Sequence, residues 1–407
     1  MECLILGDKM KFTFKHTKLA CYSSYMASAV AINFPPVLFV FFHKHFGLSL
    51  IDLGVLISLN FCVQMITDII GANIVDKKIT CKQAASAADA LVAAGLLLLG
   101  VLPQIMSTKF LALAIATIVY SVGCGLIEVV ISPITEAIPE DGKASNMALL
   151  HSFYCWGQLA AILFSTLALF FIGNENWWII SIVWAIIPAF GSFLFLKVPV
   201  NTLPKEEKKS TTSLFKNKIF LLFLLLMTAS GAAEIAVAQW ASMFVETALG
   251  VSKTTGDLLG PCMFAFLMGI SRVMYAKHSE KLNLSNYIII CGILCVISYL
   301  AMVFVPDKYI ALAAVGVVGF SVGIMWPGTL SLASGKFPLG GTAMFAFLAI
   351  FGDIGCTTGP ALAAVVSENA EFFSSPLKAG ILTCVIFPTL VVILTLILKK
   401  MRSEKNA

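Results

Sequence analysis

The chain has 407 residues, of which 59% are hydrophobic and 12% are charged, with a formal net charge of +5. Its mean hydropathy of +0.94 corresponds to far more apolar surface than a soluble core can bury, which excludes an ordinary soluble protein. The composition fits a lipid bilayer, whose hydrocarbon core is crossed by a helix of about 20 apolar residues.

Apolar runs of helical length follow one another along the whole chain, separated by short polar gaps. We predict spans 1 to 6 at 18–42, 49–72, 84–103, 108–137, 144–172 and 177–197, and spans 7 to 12 at 218–245, 254–276, 285–305, 309–336, 341–366 and 377–398. The predicted fold class is therefore an all-α polytopic membrane protein with twelve transmembrane helices.

A polar stretch at 198–217 lies between the sixth and seventh spans and is typical of a flexible cytoplasmic linker. It divides the chain into an N-terminal six-helix half, 1–197, and a C-terminal six-helix half, 218–407. The same interval separates Gly71 from Gly269 and Gly157 from Gly355, which indicates two related repeats.

The distribution of basic residues predicts the orientation, because Lys and Arg are retained on the cytoplasmic side. On the side opposite the N-terminus lie only Lys44, Lys109, Lys253, Lys308 and Lys378 of the 27 basic residues. We therefore expect both termini in the cytoplasm and a multi-pass location in the cell membrane. Topology accounts for the positive charge, so we expect no nucleic-acid partner.

Ionisable side chains within the spans are the first candidates for function, because burying them in hydrocarbon is costly. Glu128 in span 4 precedes Ser132 and Pro133, an irregularity that can open a polar cavity beside the carboxylate. Such a carboxylate can bind and release a proton, or it can cap a neighbouring polar group. His151 in span 5 is a second candidate for proton coupling, with a hydrogen-bonded structural role as the alternative.

Polar and aromatic residues in other spans are candidates for substrate contact or gating. Asn60, Gln64 and Asp68 recur every fourth residue and share one helix face, which lines a pathway or holds span 2 against a neighbour. The candidates for substrate binding are Asn33, Gln64, Trp156, Gln158, Glu234, Gln239, Trp240 and Trp326. Gating or conformational roles are expected for Asp68, Asp76, Lys77, Arg272 and Asp353, and Asp257 is expected to cap a helix.

The segment Gly125-Leu-Ile-Glu-Val-Val-Ile-Ser-Pro133, together with NMALLHSFYCWGQ at 146–158, resembles the fourth and fifth helices of a known family. This family is the fucose, galactose and hexose proton-symporter branch of the major facilitator superfamily. The resemblance implies the major facilitator fold with alternating access, and it puts Glu128 at the position of the family's proton-carrying glutamate. Ser132 replaces the family's Asn, and Pro36 stands where the branch has an Asp in its first helix.

We expect a secondary transporter that couples the movement of a small polar solute to protons. A sugar is the first candidate for this solute. An exporter of amphipathic compounds, a carrier of a non-sugar organic solute and a transport-inactive receptor are the alternatives. The sequence has no P-loop, no His/Cys metal spacing and no nucleophile elbow, so we expect no enzymatic activity and no cofactor. The expected partners are the solute, protons and the lipid bilayer, and we expect a monomer.

Overall fold

The computed structural model describes residues 12–75, 78–139, 143–201, 212–278, 283–337, 341–370 and 375–403. In the first half the helices are Phe14–Val37 with Phe39–Phe46 (span 1), Leu50–Ile74 (span 2), Cys81–Ile105 (span 3), Lys109–Glu136 (span 4), Lys143–Ile172 (span 5), and Trp177–Trp184 with Ile186–Lys197 (span 6). The two parts of span 1 meet at 45°. Pro35 and Pro36 remove two backbone donors just before this bend.

In the second half the helices are Lys218–Thr247 (span 7), Lys253–Leu259 with Pro261–His278 (span 8), Leu284–Phe304 (span 9), Lys308–Val322 with Met325–Lys336 (span 10), Gly341–Glu368 (span 11), and Pro376–Cys384 with Ile386–Ser403 (span 12). Span 8 is interrupted at Gly260, which precedes Pro261, because a residue before proline is disfavoured in helical conformation. Short helical turns also occur at Asn174–Asn176 and Thr212–Phe215.

The architecture is that of a helical membrane protein. Eleven stretches of the described chain are long and apolar enough to cross a bilayer, and the bent span 1 provides a twelfth. The prediction of an all-α polytopic protein with twelve transmembrane helices is thus confirmed. The domain division at 198–217 stays a prediction, and residues 202–211 lie outside the described residues.

Side chains at the helix starts satisfy backbone donors that would otherwise be unpaired. The capping residues that accept these hydrogen bonds are Ser49, Thr80, Asn217, Asn283 and Asp307. Each lies at the start of a span, where the chain enters the apolar layer. These caps therefore help to fix where spans 2, 3, 7, 9 and 10 begin.

The two halves pack together through span 2 against span 11 and through span 5 against span 8. Small residues allow the first of these contacts, since a Cβ on Gly54 would overlap the methyl group of Ala364. Further along the same pair of helices, Ser58 Oγ donates to the carbonyl oxygen of Thr357 at 3.3 Å. Spans 2 and 11 therefore place their side chains at the boundary between the halves.

The bundle has two ends, which we name by the segments they hold. The linker end holds the last residue of span 6, Lys197, and the first residue of span 7, Lys218. The far end holds the turns at Gly47 and Gly250, both in left-handed conformation with φ of 68° and 62°. Glycine suits these turns because it has no Cβ to clash there.

At the far end Asp257 is fully buried and joins spans 5, 7 and 8. Its carboxylate accepts hydrogen bonds from Ser242 Oγ at 2.5 Å, Thr166 Oγ1 at 3.0 Å and Lys253 Nζ at 3.1 Å. Lys253 also donates to the carbonyl oxygen of Val37, at the bend of span 1. We call these five residues the far-end latch, because they join the first half to the second.

The prediction that Asp257 caps a helix is wrong. The helix Lys253–Leu259 follows Ser252, and Asp257 lies inside it. Its short side chain points instead into the protein, where hydroxyl groups and an ammonium group compensate its burial.

Candidate functional site

Three carboxylates from different spans meet between the two halves. They belong to Asp68 in span 2, Glu128 in span 4 and Asp353 in span 11, and their oxygen atoms lie within 4.8 Å of one another. We call them the carboxylate cluster. Asp353 is buried, Asp68 is half-buried and Glu128 is exposed. Because Glu128 lies between the halves and is still exposed, it faces an accessible cavity inside the bundle.

A glycine sets the spacing within the cluster. Gly125 lies one helical turn before Glu128, and a Cβ there would stand 2.8 Å from the carbonyl oxygen of Gln64 and 3.0 Å from Asp68 Oδ1. A larger residue would push span 4 away from span 2. Gly125 therefore lets Glu128 and Asp68 approach each other.

Two cluster oxygens, Asp68 Oδ1 and Asp353 Oδ2, are buried without a hydrogen-bond partner among the described residues. A buried polar atom without a partner is unfavourable. Three negative charges this close would also repel one another strongly in a site of low dielectric constant. A shared proton or another bound cation would relieve both effects.

Tyr25 connects Glu128's helix to His151. Its hydroxyl group lies 3.0 Å from Ser132 Oγ, one turn after Glu128 in span 4. The edge of its ring packs against His151, with ring centroids 5.2 Å apart and planes at 88°. His151 is itself exposed. Tyr25 therefore links span 4, one turn beyond Glu128, to His151 in span 5.

In the second half, Arg272 in span 8 lies near Glu234 in span 7, with 3.7 Å between Nη2 and Oε1. Tyr154 in span 5 interacts electrostatically with both Glu234 and Glu128, and His151 does so with Arg272. These interactions connect the carboxylate cluster with the Arg272–Glu234 pair.

Trp326 adds aromatic surface to this region, whereas Trp156 lies on a different face of its helix from Tyr154. Trp326 in span 10 is half-buried and packs on Gly231 and Gly352, so closely that a Cβ on Gly352 would overlap its ring. Gly352 directly precedes Asp353 of the cluster. Trp156 in span 5 is 39% exposed, and its ring approaches Gly269. Aromatic faces of this kind pack well on the ring or carbon skeleton of a solute.

Two of the predicted amides are buried with donors that lack partners in the described structure. Gln64 is 1% and Gln239 is 3% exposed, and Nε2 of each has no hydrogen-bond partner there. Gln239 lines a small cavity together with Asn60 and Pro36. Unused donors in a buried position are suited to a ligand that arrives later.

Other predicted residues are buried in this conformation. Trp240 is fully buried, and its Nε1 donates to the carbonyl oxygen of Pro360 at 3.2 Å. Its ring packs against that of Phe39, with 5.6 Å between the centroids. Asn33 is buried and donates to the carbonyl oxygen of Ala29 at 2.9 Å, and Gln158 is also buried. The roles proposed for these residues stay predictions.

The predicted gating residues Asp76 and Lys77 lie outside the described residues. The sequence reasoning missed Tyr25 and Tyr154, both of which lie at the site. Tyr154 follows His151 by three positions and so shares its helix face, which is the signal that could have indicated it.

The fold and the polar interior of this chain match a known family. A family model for the Major Facilitator Superfamily matches residues 21–360. The chain belongs to the major facilitator superfamily. Proteins of this superfamily are transporters, and they are not enzymes in general. The fucose, galactose and hexose branch within the superfamily stays a prediction.

Solved structures show the same fold over nearly the whole length of this superfamily member. A D-xylose-proton symporter has a TM-score of 0.79 at 14% identity, covering 95% of this chain and 97% of that one. A bacterial homologue of the human lysosomal transporter Spinster, inward-facing and occupied, has a TM-score of 0.77 at 13% identity, covering 97% of this chain and 98% of that one. The nucleoside transporter NupG has a TM-score of 0.71 at 14% identity, covering 95% of this chain and 98% of that one.

No curated protein matches the sequence significantly. At such low identities the solved structures show the fold alone.

Proposed function

We propose that this superfamily member is a proton-coupled secondary transporter that moves a small polar solute by alternating access. A sugar is the first candidate for this solute. The observation that carries the proposal is the carboxylate cluster, to which the first half contributes Asp68 and Glu128 and the second half contributes Asp353. Glu128, as the exposed member, is the residue that exchanges a proton with the cavity.

The position of the cluster links proton binding to movement of the halves. Carboxylates that face one another across the boundary repel when charged, and neutralising one of them lets the halves approach. A proton on the cluster therefore favours the conformation in which Asp353 lies next to Glu128. Release of the proton favours separation of the halves at this level.

The described contacts support a conformation that is closed at the far end. Besides the far-end latch, Glu368 accepts a hydrogen bond from the backbone of Leu50 at 2.9 Å, and Lys44 pairs with Glu246 at 3.4 Å. Glu128 and His151 are exposed about two turns from the linker-end termini of their helices. This pattern favours a cavity that opens toward the linker end.

The basic residues favour a cytoplasmic linker end. The lysines at the far end are few, and the linker itself contains Lys205, Lys208 and Lys209. The protein then lies in the cell membrane with both termini in the cytoplasm, and the described conformation faces inward.

The first prediction is uphill transport by the purified protein in vesicles. With an inward proton gradient of about one pH unit, coupling of one proton to one solute supports about tenfold accumulation. The assay measures labelled D-galactose, D-xylose and D-galacturonate with and without a protonophore. Accumulation that the protonophore abolishes supports the proposal. Solute that only equilibrates, or that follows a sodium gradient, contradicts it.

A further inference from the structure

Arg272 presents a guanidinium group to the cavity with most of its hydrogen-bonding capacity unused. Its contacts within the described chain are Glu234 Oε1 at 3.7 Å, the carbonyl oxygen of Gly323 at 3.3 Å and the sulfur of Met268 at 3.8 Å. A guanidinium carries five N–H donors. The carboxylate distance exceeds the roughly 2.7–2.9 Å of a charge-assisted hydrogen bond. Glu234 thus offsets the charge without occupying the donors.

The arrangement makes Arg272 the accessible member of the pair. Its side chain is 22% exposed, whereas that of Glu234 is 10% exposed. A solute that enters the cavity therefore meets the guanidinium before the carboxylate. A cation held inside a membrane protein is energetically costly, so an arginine with free donors toward a cavity is suited to bind an anion.

Span 5 supplies the groups that would hold the rest of such a solute. His151, Tyr154 and Cys155 all interact electrostatically with Arg272. The imidazole and the phenol can donate or accept hydrogen bonds. This combination fits a small polyhydroxylated skeleton with a charged group at one end.

We propose that the transported solute carries a carboxylate, which Arg272 binds through two parallel N–H···O bonds. One guanidinium matches one carboxylate in charge and in planar geometry. A doubly charged phosphate group would need a second cation, and no other Lys or Arg lies as far from the ends of a described span as Arg272 does. The transported sugar is then a sugar acid, and this inference rests on the transport function proposed above.

A carboxylate substrate also gives the carboxylate cluster a physical purpose. An anion moving into the cytoplasm is opposed by the membrane potential, which is negative on that side. An anion that enters together with one proton carries no net charge, so the potential no longer opposes it. Arg272 would then bind the anion, and Glu128 would bind the proton.

Binding to the purified protein tests this inference without any proton gradient. The probes are pairs that differ in the carboxylate: D-galacturonate and D-galactose, D-glucuronate and D-glucose, and D-gluconate and D-sorbitol. Affinity is measured from the ligand-dependent rise in the unfolding temperature. We expect at least one acid to bind at least tenfold more tightly than its neutral partner, and Arg272→Gln to remove that preference.

Three further variants separate binding from a structural role of Arg272. Glu234→Gln should bind the acid more tightly, because a competing carboxylate is gone. The double variant Arg272→Gln/Glu234→Gln restores charge balance and should fold without preferring the acid. Lys308→Gln removes an exposed charge at the far end and should bind as the wild type does.

Several outcomes overturn the inference. The first is that no acid in the panel stabilises the protein. The second is that every neutral partner binds as tightly as its acid or more tightly. The third is that the double variant still prefers the acid. Acid binding that depends on Arg272, combined with no proton-driven accumulation, contradicts the proposed function but leaves this inference standing. Proton-driven accumulation of a neutral sugar, with no binding of any acid, supports the proposed function but contradicts this inference.

Discussion

Replacing Glu128 with glutamine is expected to abolish uphill accumulation of solute while leaving exchange across the membrane intact. Glutamine keeps the size and polarity of the side chain, but it cannot bind and release a proton. One pH unit supports about tenfold accumulation in the wild type, whereas in the variant the solute concentration inside should only equal that outside. Two assays on the same vesicles decide this: accumulation under a proton gradient, and exchange of labelled for unlabelled solute without one.

A matched control lies in the same helix. Glu136→Gln changes a carboxylate at the linker end of span 4, two turns after Glu128, and should leave accumulation near the wild-type level. Asp353→Asn should weaken accumulation, because it removes one of the facing charges of the cluster. Wild-type accumulation in Glu128→Gln would show that the coupling residue has been assigned wrongly.

Replacing Lys253 with methionine is expected to open the far end. The substitution keeps the length of the side chain but removes the bonds to Asp257 and to the Val37 carbonyl oxygen. Hydrogen bonds to charged groups contribute about 1.5–3 kcal/mol each. Loss of the link between the halves should therefore raise the population with an open far end at least tenfold, and transport should slow because the closed state is disfavoured.

Spin labels can measure this opening directly. Glu175 and Lys308 are exposed positions at the far ends of spans 6 and 10, so cysteines there can report the distance between the halves once other accessible cysteines are replaced. The wild type should give mainly a short distance, and Lys253→Met should add a longer one. Lys44→Met is the control, because the Lys44–Glu246 pair is exposed and such pairs contribute about 0–1 kcal/mol. Identical distances in Lys253→Met and wild type would refute the role of the latch.

The spans could be predicted well because their signal is local. Span 4 was predicted at 108–137 and is found at Lys109–Glu136, since a membrane helix needs only a continuous apolar run between polar ends. Pro35 and Pro36 indicate that span 1 can bend, and the structure has the bend at Leu38. The direction of the bend could not be predicted, because it depends on how the two parts pack against their neighbours.

The grouping of the site residues could not be predicted. Asp353 was placed among the gating residues, whereas in the structure it joins Glu128 and Asp68. That contact depends on how the two halves dock, which leaves no periodic pattern in the sequence. Asp257 is a similar case: its residue type suits a helix cap, but its three partners come from spans 5, 7 and 8.

The most direct test of proton-coupled transport is to record pH inside vesicles that contain the wild-type protein and a trapped pH-sensitive dye. D-galacturonate or D-galactose is added outside in the absence of any initial gradient, and uptake of labelled solute is followed in parallel. The interior should become more acidic as the solute enters, and Glu128→Gln should lose this signal. Uptake of solute by the wild type with no change in internal pH would contradict proton coupling.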